Sequence, residues 1–267
     1  MLNITTLMEL DVQKGNQRDV IDSGMFAVKN RCPAIVTVPE LIAPMLADKS
    51  MRNGQYVVIA AIDMPGGKLF ALDKWRDIGT DVLAADGFEV MLSKNRTPAE
   101  YRNEIRTITE FIRGQVNPLA ELRFVLQVND RSDVELTEIA KGLASFPPTY
   151  VRTDYRLSIP GGSLDHKGIV ERIRKHVAVS VKVSGNIDYE TILELKNVPG
   201  IKRFAVSVAQ ATEALKASRA VEETGAKAVI AKEVKIEDKK EIKQAGVVRD
   251  NALGKLEQGP LGKSIKV

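Results

Sequence analysis

"SVKVSGNIDYETILELKNVPGIKRFAVSV" spans residues 180–208. It reads as a strand, a turn, a helix, a turn and a strand. Val181 and Val183 alternate with Lys182, and Ser184-Gly185-Asn186 forms a small-residue turn. Asp188 opens an amphipathic stretch that stops near Pro199-Gly200, and a β-branched run follows at 202–208. Two strands joined through a helix pair in parallel with a right-handed crossover.

The same alternation runs through most of the chain. Candidate strands are "LNITTL" (2–7), "AIVTV" (34–38), "YVVIAAID" (56–63), "GFEVML" (87–92), "LRFVLQV" (122–128), "TYVRT" (149–153), "VAVSVKVS" (177–184) and "KRFAVSV" (202–208). Amphipathic stretches lie at 97–116, 133–144, 165–177, 188–198 and 209–223. The first carries Thr97 as cap, Pro98 at the first helical position and Glu100 to complete a capping box. Eight strands alternating with helices predict an α/β fold, a (β/α)8 TIM barrel over 1–222. The competing doubly wound sheet lacks a G-x-G-x-x-G opening its first helix. Residues 223–267 form a charged C-terminal extension, read either as a solvated tail or as an arm that packs on a second copy or another partner.

The chain has 267 residues, 44% hydrophobic and 28% charged, enough to bury a large core. The 39 basic residues are interspersed with 35 acidic ones, and aromatics make up 5%, a balance that argues against nucleic acid as partner. No apolar run reaches the roughly 18 residues of a membrane span, and the start of the chain lacks a signal-peptide pattern. A single cysteine, Cys32, fits a reducing, cytoplasmic setting and reads as packing. His166 and His176 are spaced for no metal site and read as surface-helix residues; neither a metal nor a cofactor is expected. "DMPGGK" (63–68) lacks the full phosphate-loop spacing and reads as a turn after the third strand, with Asp63 near the barrel mouth. "SKNR" (93–96) reads as a solvated loop.

Active groups of a barrel sit where its strands end, and Lys182 is near the end of the seventh. With Val181 and Val183 facing the helices, Lys182 points inward. A desolvated amine there is a nucleophile for a carbonyl; a strand-end lysine reaching back to solvent is the plainer alternative.

Residues 1–220 resemble the deoxyribose-phosphate aldolase family. The likeness rests on "VKVSGNI" at the seventh strand, "PAIVTVPELIAPML" (33–46), "VVIAAIDMPGG" (57–67), "LRFVLQV", "TYVRTDY" (149–155) and "RLSIPGGSLDHKGIVERI", in order and spacing. The resemblance implies a barrel that forms a Schiff base through a sixth-strand lysine, but that position holds Arg152, which keeps its proton at any working pH. The family's second lysine matches Lys182. Its fourth-strand aspartate matches Glu89, its first-strand aspartate Asn3 and its fifth-strand glutamate Gln127. Phosphate would be held near Ser184, Gly185, Asn186 and Ser207.

Two functions follow. In the first, Lys182 becomes the nucleophile, Arg152 lowers its pKa and Glu89 moves protons, in a class I aldolase acting on a small phosphorylated sugar or aldehyde. In the second, catalysis is gone and the barrel persists as a structural, assembly or anion-binding module, with homo-oligomer formation through the extension. An enzyme should keep Lys182 uncharged and facing a pocket; a structural descendant should pair it with a carboxylate such as Glu89.

Overall fold

Strand β1 is Met8–Val12, where alternation places Met8, Leu10 and Val12 outward against helices and Glu9 and Asp11 inward. This corrects the expectation of a first strand at 2–7: Ile4–Leu7 is a 3-10 turn. The β-branched "ITTL" imitates a strand, while "MELDV" hides one behind two acidic residues. In this computed structural model the described residues are 4–12, 15–64, 80–159 and 164–224; Asn3 and most of "DMPGGK" lie outside them.

The remaining strands are β2 Ala34–Thr37, β3 Val57–Ile62, β4 Gly87–Met91, β5 Glu121–Val125, β6 Tyr150–Arg152, β7 Ser180–Val183 and β8 Ile201–Val206. Each pairs in parallel with its neighbours in sequence, and β8 pairs with β1, closing a barrel. The fold is therefore a (β/α)8 TIM barrel. The register of β7 on β8 slips between Val181 and Lys182, a bulge beside the inward lysine.

Helices follow the strands: α1 Gln17–Asn30, α2 Ile42–Met51, α3 Pro98–Phe111, α4 Asp133–Ser145, α5 His166–Arg174, α6 Tyr189–Leu195 and α7 at 208–224. Their starts are written locally. Asn16 with Asp19, Thr97 with Glu100, and Ser132 with Glu135 form reciprocal capping boxes that satisfy backbone N–H groups otherwise left open. The α3 pattern continues to 116 as a π turn, Ile112–Val116.

The chain divides into two units, Met1–Lys216 and Ala217–Val267. Among the described residues no helix is long and apolar enough to cross a membrane.

Helices α1 and α2 meet through a glycine. A Cβ at Gly24 would lie 1.9 Å from Asp48 Oδ2, and Arg52 Nε fixes both Asp48 carboxylate oxygens at 2.8 Å. Gly24→Ala gains helix propensity but must displace a buried, bonded carboxylate. A net loss of about 1–2 kcal/mol is expected, read as a lower urea midpoint; an unchanged midpoint would mean that α1 and α2 can separate freely.

Candidate functional site

The barrel interior is charged where most barrels are packed with aliphatic side chains. Glu9 and Asp11 enter from β1, Glu89 from β4, Arg123 from β5, Arg152 from β6 and Lys182 from β7. Three acids face three bases, all essentially inaccessible to solvent. Burying such charges is costly unless each is paired, and here each group has an ion-pair partner.

Arg152 is at the centre. Its Nη1 donates to Glu89 Oε1 at 2.6 Å and its Nη2 to Asp11 and to the Tyr155 carbonyl, the latter at 2.8 Å. Its Nε donates to the Asp154 carbonyl at 2.6 Å and reaches Ser184 Oγ at 3.4 Å. Lys182 Nζ donates to Glu89 Oε2 and lies 3.1 Å from Glu9 Oε2. Arg123 Nη1 completes the ring, 2.5 Å from Glu9 and 3.8 Å from Glu89, while its other side binds Glu121 at the barrel's edge. Arg203 Nε approaches Glu9 from β8 at 3.4 Å.

Burial alone would raise Glu89, but Lys182, Arg152 and Arg123 outweigh it and hold the carboxyl at about 2. Glu9 is likewise held below its ordinary value, with burial opposed by Arg123 and Lys182. For Asp11 burial wins over Arg152, and its pKa is raised. Glu89 is thus an anion wedged between cations, poorly placed to donate a proton near neutrality. Lys182 has no accessible surface, and its Nζ lies between the carboxylates of Glu89 and Glu9.

Of the site residues expected from sequence, the fold brings Glu89, Arg152, Lys182 and Ser184 together. Gln127 is buried just past β5 in a left-handed conformation, φ 52°, with Nε2 directed at Met91 Sδ. Asp63 follows β3 at the same end of the barrel. Asn3 lies outside the described residues; the acids that β1 supplies are Glu9 and Asp11. Sequence reading missed both, together with Arg123 and Arg203. The signal was the period-two pattern in "MELDV" and in "ELRFV", where Arg123 sits between the outward Leu122 and Phe124.

The groups expected around phosphate are engaged within the chain. Ser184 Oγ donates to the Asp154 carbonyl and accepts from Asp154 N, while Ser184 N donates to Thr153 Oγ1 at 3.1 Å. Asn186 N donates to the Leu157 carbonyl at 2.8 Å, and its side chain exchanges two hydrogen bonds with Ile159. Ser207 N donates to Gln210 Oε1 at 2.9 Å, and Gln210 N returns a bond to Ser207 Oγ, capping α7. Gly185 has φ 101°, and a Cβ there would lie 2.6 Å from Ile159 Cδ1. Residues 154–159 therefore lie across the ends of β7 and β8.

Two readings from sequence change or sharpen at this point. His166, expected on a surface helix, is buried at the start of α5, and burial pushes its pKa down. Cys32 is buried, with its thiol pushed up to about 12.

A closed parallel barrel with charged groups converging inside defines the scaffold as a (β/α)8 TIM barrel. Among solved structures it is similar to the deoxyribose-phosphate aldolase from Aeropyrum pernix, at TM-score 0.70 and 15% identity over 82% of this chain and 92% of that one. It is also similar to QR15, described as an aldolase, at TM-score 0.65 and 16% identity over 78% and 92%. A 3-hexulose-6-phosphate synthase follows at TM-score 0.51 and 15% identity over 78% and 97%. At these identities the likeness is one of fold. No protein-family model and no curated protein sequence matches the chain.

Proposed function

We propose that this chain is an aldolase-derived barrel that has lost Schiff-base chemistry and serves as a structural or assembly module. The observation that carries this reading is the position of Lys182 Nζ, solvent-free between Glu89 and Glu9, beside an arginine where the family's nucleophile would stand. A Schiff base needs an amine with a free lone pair and room for a carbonyl carbon. Lys182 offers an amine enclosed by two carboxylates, and Arg152 offers none.

Binding of a small anion at the mouth is disfavoured for a related reason. Arg152 and Lys182 already face carboxylates, and the Ser184, Asn186 and Ser207 donors described above are used within the chain. The remaining role is one of shape and surface. A reducing compartment such as the cytoplasm suits the single buried thiol.

Borohydride trapping tests the reading. The protein is incubated with deoxyribose 5-phosphate, or with acetaldehyde plus glyceraldehyde 3-phosphate, then reduced and mapped by mass spectrometry, with a working aldolase as control. No adduct is expected on Lys182. Arg152→Lys, which restores an amine on the sixth strand, is also expected to give none, because the new ammonium would lie against Glu89 and Asp11. A substrate-dependent adduct on Lys182 in the unaltered protein, lost in Lys182→Ala, would reinstate the divergent class I aldolase.

A further inference from the structure

The outer surface of the barrel carries a feature that the interior network does not use. Among the described residues, four of the seven exposed large hydrophobic side chains belong to α1 and α2: Ile21 at 40%, Met25 at 50%, Val28 at 41% and Met51 at 77% exposure. Ile21, Met25 and Val28 fall at i, i+4 and i+7, one stripe along α1. Gly24 marks the side of α1 that touches α2, since its missing Cβ points at Asp48; the stripe lies next to that seam and faces outward. On α2, Met51 comes three residues after Asp48, and the exposed Ala47 one residue before it, on the side turned toward α1. The four side chains therefore make one apolar face across the seam, rather than scattered exposure. Contiguous apolar faces of this kind mark interaction surfaces.

The rim charges indicate what fits it. Asp22 and Lys29 are exposed, seven residues apart, and flank the stripe on the same side. An antiparallel contact between two α1 helices, with its two-fold axis near Met25 and Phe26, sets Asp22 of each copy against Lys29 of the other. The same operation brings the two Met25 side chains together at the axis. Such self-complementarity is what an isologous interface requires. Asp22 is free to serve in it: its own-chain neighbour is Arg18 at 3.9 Å, a pair with the two side chains 88% and 54% exposed. Helix α1 is about 21 Å long, and two neighbouring helices about 10 Å apart give a face about 20 Å across. That is about 400 Å² in projection, about half the ~800 Å² per partner of a standard-size complex, which suits a weak, reversible association.

We propose that the α1–α2 face joins two copies of this chain as a two-fold dimer, centred on Met25 and oriented by reciprocal Asp22–Lys29 pairs. This assignment is independent of whether the barrel retains catalysis, and its test does not read aldol chemistry.

Sedimentation velocity of the full chain, from about 1 to about 200 μM, should show a monomer–dimer equilibrium. Met25→Glu should abolish the dimer in this range with an unchanged thermal melt, since Met25 is half exposed in the single chain. Asp22→Lys and Lys29→Asp should each weaken association about tenfold, because each changes two symmetric pairs. Combining them restores opposite charges in reversed order and should bring the dissociation constant back to near the unaltered value. A protein that stays monomeric throughout would overturn the proposal. So would an oligomer indifferent to Met25→Glu, or a double variant no tighter than the singles.

Discussion

Glu89→Gln is expected to cost the barrel about 3–5 kcal/mol, the range for breaking a buried ion pair. Glu89 bonds Arg152 and Lys182 directly and lies 3.8 Å from Arg123, so a neutral isostere leaves three buried cations facing two carboxylates. For a domain of this size the loss corresponds to a fall of about 10 °C in Tm, measurable by circular dichroism. Glu213→Gln, at an exposed pair with Lys216, should leave Tm nearly unchanged. A double-mutant cycle with Lys182→Met isolates the pair. If Lys182 is held by Glu89, the two substitutions together should cost clearly less than the sum of each alone. A Glu89→Gln Tm within a degree or so of the unaltered protein would show that the interior charges do not hold the barrel together.

The same network sets an acid limit. A carboxylate whose folded pKa is depressed contributes stability that is complete above its unfolded value and disappears as pH falls through the folded one. Glu89 moves from 4.5 to about 2, so about 3 kcal/mol should be lost across that interval, with Glu9 adding to it in the same direction. Asp11 acts with the opposite sign. Its raised pKa means that its charge costs stability near neutrality, and acidification relieves that cost. His166 has a depressed pKa and is buried, so it adds a separate loss as pH falls below its ordinary 6.5. Urea midpoints measured from about pH 7 to about pH 3 should therefore show a shallow limb from His166 and a steep one below about pH 4.5. His166→Gln should remove the first, and Glu89→Gln should blunt the second. A steep limb that survives Glu89→Gln unchanged would place acid sensitivity outside the barrel interior.

The interior and the mouth are linked through Arg152. An arginine at the sixth strand needs more acceptors than a lysine, because its planar fork carries five N–H groups. Asp11, Glu89 and the carbonyls of Asp154 and Tyr155 supply them. Meeting that demand draws the start of the 154–159 segment inward, and the same segment bonds the β7 turn through Leu157 and Ile159. Backbone groups of this segment thus bind both the buried arginine and the turn after β7.

The sequence by itself determined the architecture. Strand and helix periods, the capping boxes at Asn16, Thr97 and Ser132, and the alternation through β7, α6 and β8 are local, and local patterning decides the class of fold. Lys182 was legible as an inward group for the same reason, since period two assigns it a face, whereas Arg152 and Glu89 were marked only by the family resemblance. Local patterning did not place β1, whose two acids read as polar surface until their partners are known. Nor did it decide what Lys182 does. Its partner Glu89 lies 93 residues away, and Asp11 lies 141 residues from Arg152. Whether a buried amine is a nucleophile or half of an ion pair depends on charges delivered by strands across the barrel. Those charges meet only when β8 closes on β1.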